Sequence, residues 1–330
     1  MTPDRTDTRR PVGDRAAAPS LDAIVTHERA VAERTLGAWL SRERIDVNVT
    51  DWVEDIAPRD DAPAGPRLIT WSDVPAETGD APGATSRDAE GRMLAAIAQF
   101  FPLADGLPHP HVLVWARSGD PSSPGSVARL AETALAPFRS LGASAVCAFA
   151  HGSIVPTWAQ HGTHYKQYTA APLALLTSAP APPGAERVRV ETPADHSYFP
   201  AYERMYESLW HSAPGLRAVI GPETVEDLDT FAACGGLRTV WIDGELAGVI
   251  GAIRHREFGM RGWRMRERVL GERHRGTGLG AAALWHFIRD LARESDDLLW
   301  GTIRPENPGS ARSGERLGRV PVGSLVWITR

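Results

Sequence analysis

The sequence predicts an α/β protein built from two segments. Apolar runs typical of buried strands alternate with stretches whose apolar residues recur every three or four positions, as in amphipathic helices. The 330 residues are about twice the length of a typical domain. An uncharged, proline-rich stretch at Thr177–Ala185 separates the segments. We therefore expect an N-terminal α/β domain over residues 21–178 and a second domain over residues 186–330.

Composition limits the classes of protein to which the chain can belong. Hydrophobic residues make up 42% and charged residues 23%, which is ordinary for a globular protein. The net charge of −5 disfavours a nucleic-acid binder. No long uncharged apolar run occurs, so we expect no membrane span. Two cysteines, Cys147 and Cys234, are too few for a disulfide framework or a four-cysteine metal site, which favours a cytoplasmic protein without a bound metal.

Two further features concern the tail and the single lysine. Residues 1–20 carry charges without an apolar stretch and are interpreted as a disordered tail. Lys166 is the only lysine, and its surroundings, HGTHYKQY, resemble neither a Schiff-base site nor a P-loop.

The first segment alternates predicted helices and strands. Its helices are expected at Leu21–Leu40, near Arg92–Phe101 and at Ser126–Leu141. Its strands are expected at Asp46–Trp52, Pro66–Trp71, His111–Ala116, Ser144–Ala150 and Tyr168–Leu176.

The second segment has the predicted order β-α-α-β-β-β-α-β-α-β. Asp243-Gly244 lies between two apolar runs and predicts a hairpin. A strand at Arg261–Leu270 then enters a glycine-rich turn, followed by a helix over Leu279–Arg293. A strand at Leu298–Ile303, a short helix at Ser310–Leu317 and a strand at Val322–Ile328 complete the segment.

The turn between strand and helix has the sequence RHRGTGLG, from Arg273 to Gly280. Its glycines let the backbone approach a ligand, and the following helix N-terminus favours an anion such as pyrophosphate. The spacing G-x-G-x-G and the two strands that follow disfavour a dinucleotide-binding fold, and the G-K-[ST] of a P-loop is absent. A glycine turn without a ligand is the alternative.

Residues 275–280, RGTGLG, resemble the R/Q-x-x-G-x-G/A signature of the GNAT superfamily of acyl-CoA-dependent N-acyltransferases. The element order from residue 186 onward is also similar, and Asn307 before a short helix ending in Leu-Gly resembles the second signature of the family. The resemblance implies a mixed, splayed sheet flanked by helices, with acetyl-CoA or another acyl-CoA as co-substrate.

The resemblance also implies which residues bind the co-substrate. The pyrophosphate would be held by Arg275, Gly276, Thr277, Gly278, Leu279 and Gly280. Val269 and Leu270 would line the pantetheine, in either order, and Asn307 would contact the pantetheine arm.

Candidate catalytic residues are less typical of the family. Its members commonly carry a tyrosine seven residues after the asparagine, as the acid that protonates the thiolate; here that position is Gly314, and Ser313 is the neighbouring candidate. Glu267 is the first candidate for the base, because strand alternation places it on the face of Val269. It could equally pair with an arginine. Other candidates for the base are Glu272, His255 and His274.

The acceptor is expected near the first helix of the second segment. Tyr202, Tyr206 and Trp210 lie where many relatives line the acceptor pocket, although their four-residue spacing is more often a sign of core packing. Arg264, Arg266 and Arg268 are expected on one face of a strand, with Arg266 as a substrate-binding candidate. These arginines either pair with acidic groups or face a cavity for an anionic acceptor.

The first segment repeats the strand–loop–helix–strand order, so it is interpreted either as a degenerate GNAT copy or as an unrelated α/β domain. Its loop, RSGDPSSPGS, lacks the glycine spacing, and we expect no CoA there. The layout is similar to that of tandem GNAT enzymes of the mycothiol synthase type. We predict an N-acyltransferase for a small-molecule amine. Alternatives are a protein or peptide N-acetyltransferase and a CoA-binding protein without turnover.

Overall fold

The structure, a computed structural model, describes residues 20–58, 62–73, 92–102, 110–121, 123–152, 158, 162–218 and 220–328. Most of the predicted tail, residues 1–19, lies outside the described residues. Helices are numbered below among the described residues only. Among these residues, no helix is both long and apolar enough to cross a bilayer.

The first segment contributes five strands and four helices to the described part of the chain. The strands are β1 (Arg67–Asp73), β2 (Arg92–Phe101), β3 (His111–Arg117), β4 (Ala145–His151) and β5 (Gly162–Pro172). The helices are α1 (Leu21–Leu36), α2 (Arg42–Ile56), α3 (Pro124–Leu135) and α4 (Leu173–Ser178).

The second segment contributes six strands and four helices. The strands are β6 (Val188–Glu191), β7 (Leu237–Ile242), β8 (Glu245–Glu257), β9 (Met260–Leu270), β10 (Leu298–Ile303) and β11 (Val320–Ile328). The helices are α5 (Phe199–Ser212), α6 (Val225–Ala233), α7 (Leu279–Asp290) and α8 (Pro308–Glu315).

Two predicted elements of the first segment have the wrong type. Asp46–Trp52 belongs to helix α2, because Ile45, Val49 and Val53 form a buried helical face and the Ser41 hydroxyl caps the helix. Arg92–Phe101 is strand β2 and not a helix. It lies between β1 and β3, and residues 94–98 are almost fully buried, so packing on both sheet faces overrides helix propensity.

Most other predicted elements are present with shifted ends. The first helix stops at Leu36. The predicted strand Tyr168–Leu176 is divided between β5 and α4. The predicted hairpin at Asp243-Gly244 is present, and both residues have the positive φ that a two-residue turn of this type requires.

All the strands form one sheet with the order β1-β2-β3-β4-β11-β5-β10-β9-β8-β7-β6. The last strand of each segment lies beside the other segment: β5 pairs with β10, and β11 pairs with β4. These two strands also pair with each other at the centre of the sheet. Outward from this central pair, four strands follow in the same order and directions in each half, including one parallel pair each, β3–β4 and β9–β10, and the second half has one further edge strand, β6.

Helices cover both faces of this sheet. In the first segment, α1 and α2 pack on one face and α3 on the other. In the second segment, α5 and α6 cover one face, whereas α7 covers the opposite one. This arrangement buries the sheet and leaves the strand ends near the glycine turn available for a binding site.

Candidate active site

The candidate site begins where two parallel strands separate. Hydrogen-bonded pairing of β9 with β10 covers Gly262–Met265 against Leu298–Gly301. Strand β9 continues to Leu270 without β10 beside it, so the sheet opens into a gap at this point. The splayed sheet expected from the resemblance is therefore present.

The glycine turn lies at the end of β9. Gly276 and Gly278 have φ angles of 75° and 88°, a left-handed conformation that favours glycine. Helix α7 starts at Leu279, and the first amides of an α-helix have no carbonyl of a preceding turn to pair with, so this end suits an anion. A Cβ at Gly280 would lie 3.6 Å from Leu270 Cδ1 and 3.8 Å from Ser313 Oγ, so a larger side chain there would enter the gap.

A cleft of about 370 Å³, here called the glycine-turn cleft, lies between this turn and α8. Four arginines line it, and the described lining residues include no carboxylate. Its lining suits a polyanionic ligand, because phosphate oxygens accept hydrogen bonds from guanidinium groups and from backbone amides at a helix N-terminus. The arginines are Arg268, Arg275, Arg312 and Arg316.

Most of the residues expected to bind the co-substrate line this cleft. They are Val269, Leu270, Arg275, Gly276, Gly278, Gly280 and Asn307. Two others are placed differently. The Thr277 hydroxyl donates to the His274 carbonyl at 2.8 Å, and the Leu279 side chain is buried in the core beneath α7.

Arg275 connects three elements through its guanidinium group. It donates to the Leu270 carbonyl at the end of β9 at 2.8 Å and to the Met205 carbonyl of α5 at 2.7 Å. A third contact reaches the Ser212 hydroxyl at 3.2 Å. The side chain therefore holds the turn against α5, besides lining the cleft.

A second cleft, of about 550 Å³, adjoins the first. Arg268, Asn307 and Ser310 line both clefts and mark their junction. Asn307 caps α8, where its side-chain oxygen accepts a hydrogen bond from the Ser310 amide at 3.2 Å. The junction is thus built from β9 and from the start of α8.

Glu267 lines the second cleft and is 3% exposed. The hydroxyl groups of Tyr202 and Tyr206 both donate to its carboxylate, the second at 2.9 Å. Burial raises the pKa of Glu267 to about 7, although the tyrosine hydrogen bonds act in the opposite direction. A carboxylate with such a pKa can both accept and release a proton near neutral pH.

The alternative bases lie elsewhere. Glu272 is exposed and accepts from Ser208 Oγ at 3.0 Å. His255 lines a different pocket, and burial lowers its pKa to about 4. His274 borders the glycine-turn cleft, where Arg273 Nε lies 3.0 Å from its Nε2. None of the three lines the second cleft.

The residues expected to bind the acceptor do not all line one cleft. Arg266 lines the second cleft and pairs with Glu223 at 3.4 Å. Tyr202 is fully buried, and Trp210 donates to the Ile220 carbonyl at 3.0 Å. Neither aromatic residue lines either cleft.

The prediction that Arg264, Arg266 and Arg268 share one strand face is wrong. A β-bulge interrupts β9 where the register against β8 shifts between Glu267 and Met265. Arg264 consequently contacts Glu257 at 3.1 Å, whereas Arg268 donates to Ser310 of α8.

The candidate acid lies on α8. Ser313 lines the glycine-turn cleft, but its hydroxyl donates to the Gly309 carbonyl at 2.7 Å. Gly314 is buried, and a Cβ there would lie 3.7 Å from Arg319 Cδ.

Sequence reasoning missed several residues of the second cleft: Lys166, Glu223, Arg304 and Arg319. Lys166 belongs to β5 of the first segment and reaches the site only through the exchange of strands. Its status as the single lysine was a signal, but no pattern in the sequence places it beside β10. Over the described ranges, no cluster of side chains suits a metal ion.

Part of the second segment matches a known protein family. Residues 202–318 match the model of the acetyltransferase (GNAT) family. Similar solved structures include a GCN5-related N-acetyltransferase from Sphaerobacter thermophilus, with 14% identity over 94% of this chain and 93% of that one and a TM-score of 0.49. A tandem GNAT protein from the clavulanic acid biosynthesis pathway has 16% identity over 94% and 95%, with a TM-score of 0.40. No curated protein matches the chain.

The resemblance noted in the sequence is thereby confirmed for the C-terminal segment. The family match spans the bulged strand, the glycine turn and α8. Residues 202–318 of the chain are therefore a domain of the acetyltransferase (GNAT) family.

Proposed function

We propose that this protein transfers an acetyl group from acetyl-CoA to the amine of a small molecule. The observation that carries the proposal is the meeting of two clefts in the gap between β9 and β10. One is lined by arginines and a glycine turn, and the other by a buried carboxylate with a raised pKa.

The glycine-turn cleft fits the anionic part of acetyl-CoA. Amides around Gly276, Gly278 and Gly280 would hold the pyrophosphate, with Arg312 and Arg316 as further phosphate contacts. Val269, Leu270 and Asn307 would line the pantetheine up to the junction of the clefts. Bound acetyl-CoA supplies an activated acyl carbon with a thiolate leaving group.

Glu267 acts as the base in this proposal. An acceptor amine enters as an ammonium group, and the carboxylate takes one proton from it. The nitrogen attacks the thioester carbonyl, a C–N bond forms and the C–S bond breaks. The nitrogen loses a second proton, and the departing thiolate gains one to give free CoA. Tyr202 and Tyr206 hold the carboxylate in position through their hydroxyl groups.

Ser313 is the proposed source of a proton for the thiolate, by virtue of its place in the glycine-turn cleft. A serine hydroxyl is a weaker acid than the tyrosine usual in the family, and Gly314 offers no proton. Since a thiolate is already a fair leaving group, turnover does not depend on this step.

The second cleft supports a small acceptor. Its volume of about 550 Å³ lies within the usual range of small-molecule sites. Lys166 from β5 lines it together with residues of the second segment. A peptide substrate would need an open groove, so protein acetylation is the less favoured alternative.

We infer that residues 21–178 are a second, degenerate GNAT copy. The order β11-β4-β3-β2-β1 in one half corresponds to β5-β10-β9-β8-β7 in the other, with α3 and α7 each between parallel strands, and this supports the inference. At the end of β3, Arg117 is 1% exposed, donates to the Phe149 carbonyl and pairs with Asp120. Its guanidinium lies 5.0 Å from the ring centre of Trp158. These side chains fill the position that corresponds to the gap beside β9, and we expect no CoA there.

Ligand-induced stabilisation and thiol release test the proposal. A ligand at 100 times its Kd stabilises a protein by about 2.7 kcal/mol, so acetyl-CoA should raise the Tm of the wild type. Gly280→Leu should abolish that increase, because the side chain fills the cleft without requiring a positive φ. Gly125→Leu is the matched control, since Gly125 is likewise the second residue of its helix, α3.

The two variants and a panel of amines distinguish an acetyltransferase from a CoA-binding protein without turnover. Stabilisation without release of free CoA in the presence of any amine would identify a CoA-binding protein. If acetyl-CoA stabilises wild type and Gly280→Leu equally, the glycine-turn cleft is not its site.

A further inference from the structure

The second cleft has an excess of cationic side chains. Six line it: Lys166, Arg264, Arg266, Arg268, Arg304 and Arg319. The described lining includes two carboxylates, Glu223 and Glu267. An amine substrate is itself a cation and would be repelled by this lining. A substrate that also carries an anionic group would be attracted to it.

Two of the six charges are neutralised within the protein. Arg264 pairs with Glu257 at 3.1 Å, and Arg266 pairs with Glu223 at 3.4 Å. Glu267 is occupied by the hydroxyl groups of two tyrosines. These contacts leave four cations to be explained.

The remaining four have no carboxylate within ion-pair distance among the described residues. Arg268 donates from Nη2 to Ser310, and Arg319 donates from Nη2 to the Thr169 carbonyl, which leaves Arg268 Nη1 and Arg319 Nε buried without partners. Arg304 donates to the Tyr165 hydroxyl at 3.1 Å, and its Nε is also buried without a partner.

Lys166 completes this set from the first segment. Its ammonium lies 5.2 Å from the ring centre of Tyr165, and Arg304 lies over the same ring at 4.2 Å. Burial, together with Arg304, lowers the pKa of Lys166 to about 8. Burial and Arg268 lower the pKa of Arg319 to about 9. Cations crowded in this way cost free energy that a bound anion offsets.

We propose that the acceptor is an amine that also carries carboxylate or phosphate groups, which bind to Lys166, Arg268, Arg304 and Arg319. Guanidinium groups match both kinds of anion, since a carboxylate or a phosphate can accept two parallel hydrogen bonds from one guanidinium group. The inference rests on the proposed acyl transfer and specifies its substrate class.

Matched pairs of acceptors test this specificity by release of free CoA. 4-Aminobutanoate against 4-aminobutanamide forms the carboxylate arm, and glucosamine 6-phosphate against glucosamine forms the phosphate arm. Because hydrogen bonds to a charged group strengthen binding, the anion-bearing member of at least one pair should have a kcat/KM about tenfold higher or more. An equal kcat/KM for the members with and without the anionic group, in both arms, would overturn the proposal.

Variants of the single lysine test the assignment of the cleft. Lys166→Met should raise KM for the anionic acceptor about tenfold, whereas Lys166→Arg should keep KM close to that of the wild type. Both should bind acetyl-CoA as the wild type does, because Lys166 does not line the glycine-turn cleft. Arg189→Met removes a charge from the exposed edge strand β6 and serves as the control.

If none of the four amines reacts, calorimetry with anions that lack an amine tests the anion site directly. Glutarate or inorganic phosphate should bind to protein saturated with CoA, and more weakly to Lys166→Met. Equal binding to both proteins, or no binding of either anion, contradicts the proposal. Anion binding without any binding of acetyl-CoA would instead refute the acyltransferase function and leave the anion site in place.

Discussion

Glu267 shows how one residue combines packing with chemistry. Tyr202 and Tyr206 are four positions apart on α5, so both rings pack in the core while both hydroxyl groups reach the same carboxylate. The spacing in the sequence predicted the core contact. It could not predict the shared carboxylate, because Glu267 is more than 60 positions away along the chain.

The raised pKa of Glu267 predicts a pH dependence of the rate. A base must be ionised, so activity that depends on Glu267 should rise with pH up to about 7 and then level off. Below pH 7 the wild-type kcat/KM should rise about tenfold for each pH unit, because the acceptor enters as an ammonium group and only the ionisation of Glu267 changes. Glu267→Gln can use only the unprotonated amine, so its kcat/KM should be lower and should continue to rise above pH 7.

Glu272→Gln is the control for this experiment, because Glu272 is an exposed carboxylate of the same region that lines neither cleft. A wild-type kcat/KM that does not level off near pH 7, or a Glu267→Gln profile that levels off there as the wild type does, would show that Glu267 is not the base.

At the scale of elements, local sequence determined the glycine turn but not every helix and strand. The turn depends on glycines adjacent in the chain, which sequence reveals directly. Strand β2 has an alanine-rich sequence that favours a helix, and only its neighbours β1 and β3 impose the extended form. The bulge in β9 arises from pairing with β8, so alternation alone misplaced the arginines.

Arg275 gives a prediction at this scale, since it joins the turn to α5. Arg275→Met and Arg275→Lys should both lower the free energy of unfolding of the ligand-free protein by about 1–3 kcal/mol. Lysine should not restore it, because a single ammonium cannot reach three separate acceptors in the geometry of a guanidinium group. Urea unfolding monitored by tryptophan fluorescence measures the change.

A different result would show that Arg275 acts in ligand binding and not in stability. Unchanged unfolding together with weaker binding of acetyl-CoA would mean that its guanidinium acts chiefly on phosphate.

The whole molecule depends on contacts that join its two segments. The proline-rich stretch predicted a boundary, yet β5 and β11 cross it and make one sheet from both parts. Such pairs lie far apart in the chain, 126 positions for Pro172 with Leu298 and 150 for Ala170 with Val320, and no local pattern reveals them. The same crossing brings Lys166 to a cleft of the other segment.

Separate expression of the two segments tests this dependence. Chains divided between Pro180 and Ala181 should each fail to fold cooperatively, because each lacks the strand that completes its half of the sheet. Expressed together, they should recover a stable complex. Circular dichroism and thermal unfolding measure both results.

An intact chain with a protease site inserted at the same point is the control. After cleavage it should remain one complex with the thermal stability of the uncut protein. A C-terminal fragment that unfolds cooperatively alone would show that the exchanged strands are not required.

The exchange of β5 and β11 has a consequence for protein synthesis. A ribosome releases the chain from its N-terminus, so β4 and β5 emerge long before residues 320–328, the strand that lies between them. Until those residues leave the exit tunnel, β4 and β5 each present an unpaired edge, the kind of surface at which chains aggregate. The first segment therefore cannot finish folding until this nine-residue strand has been synthesised, and its arrival closes both halves in a single late event.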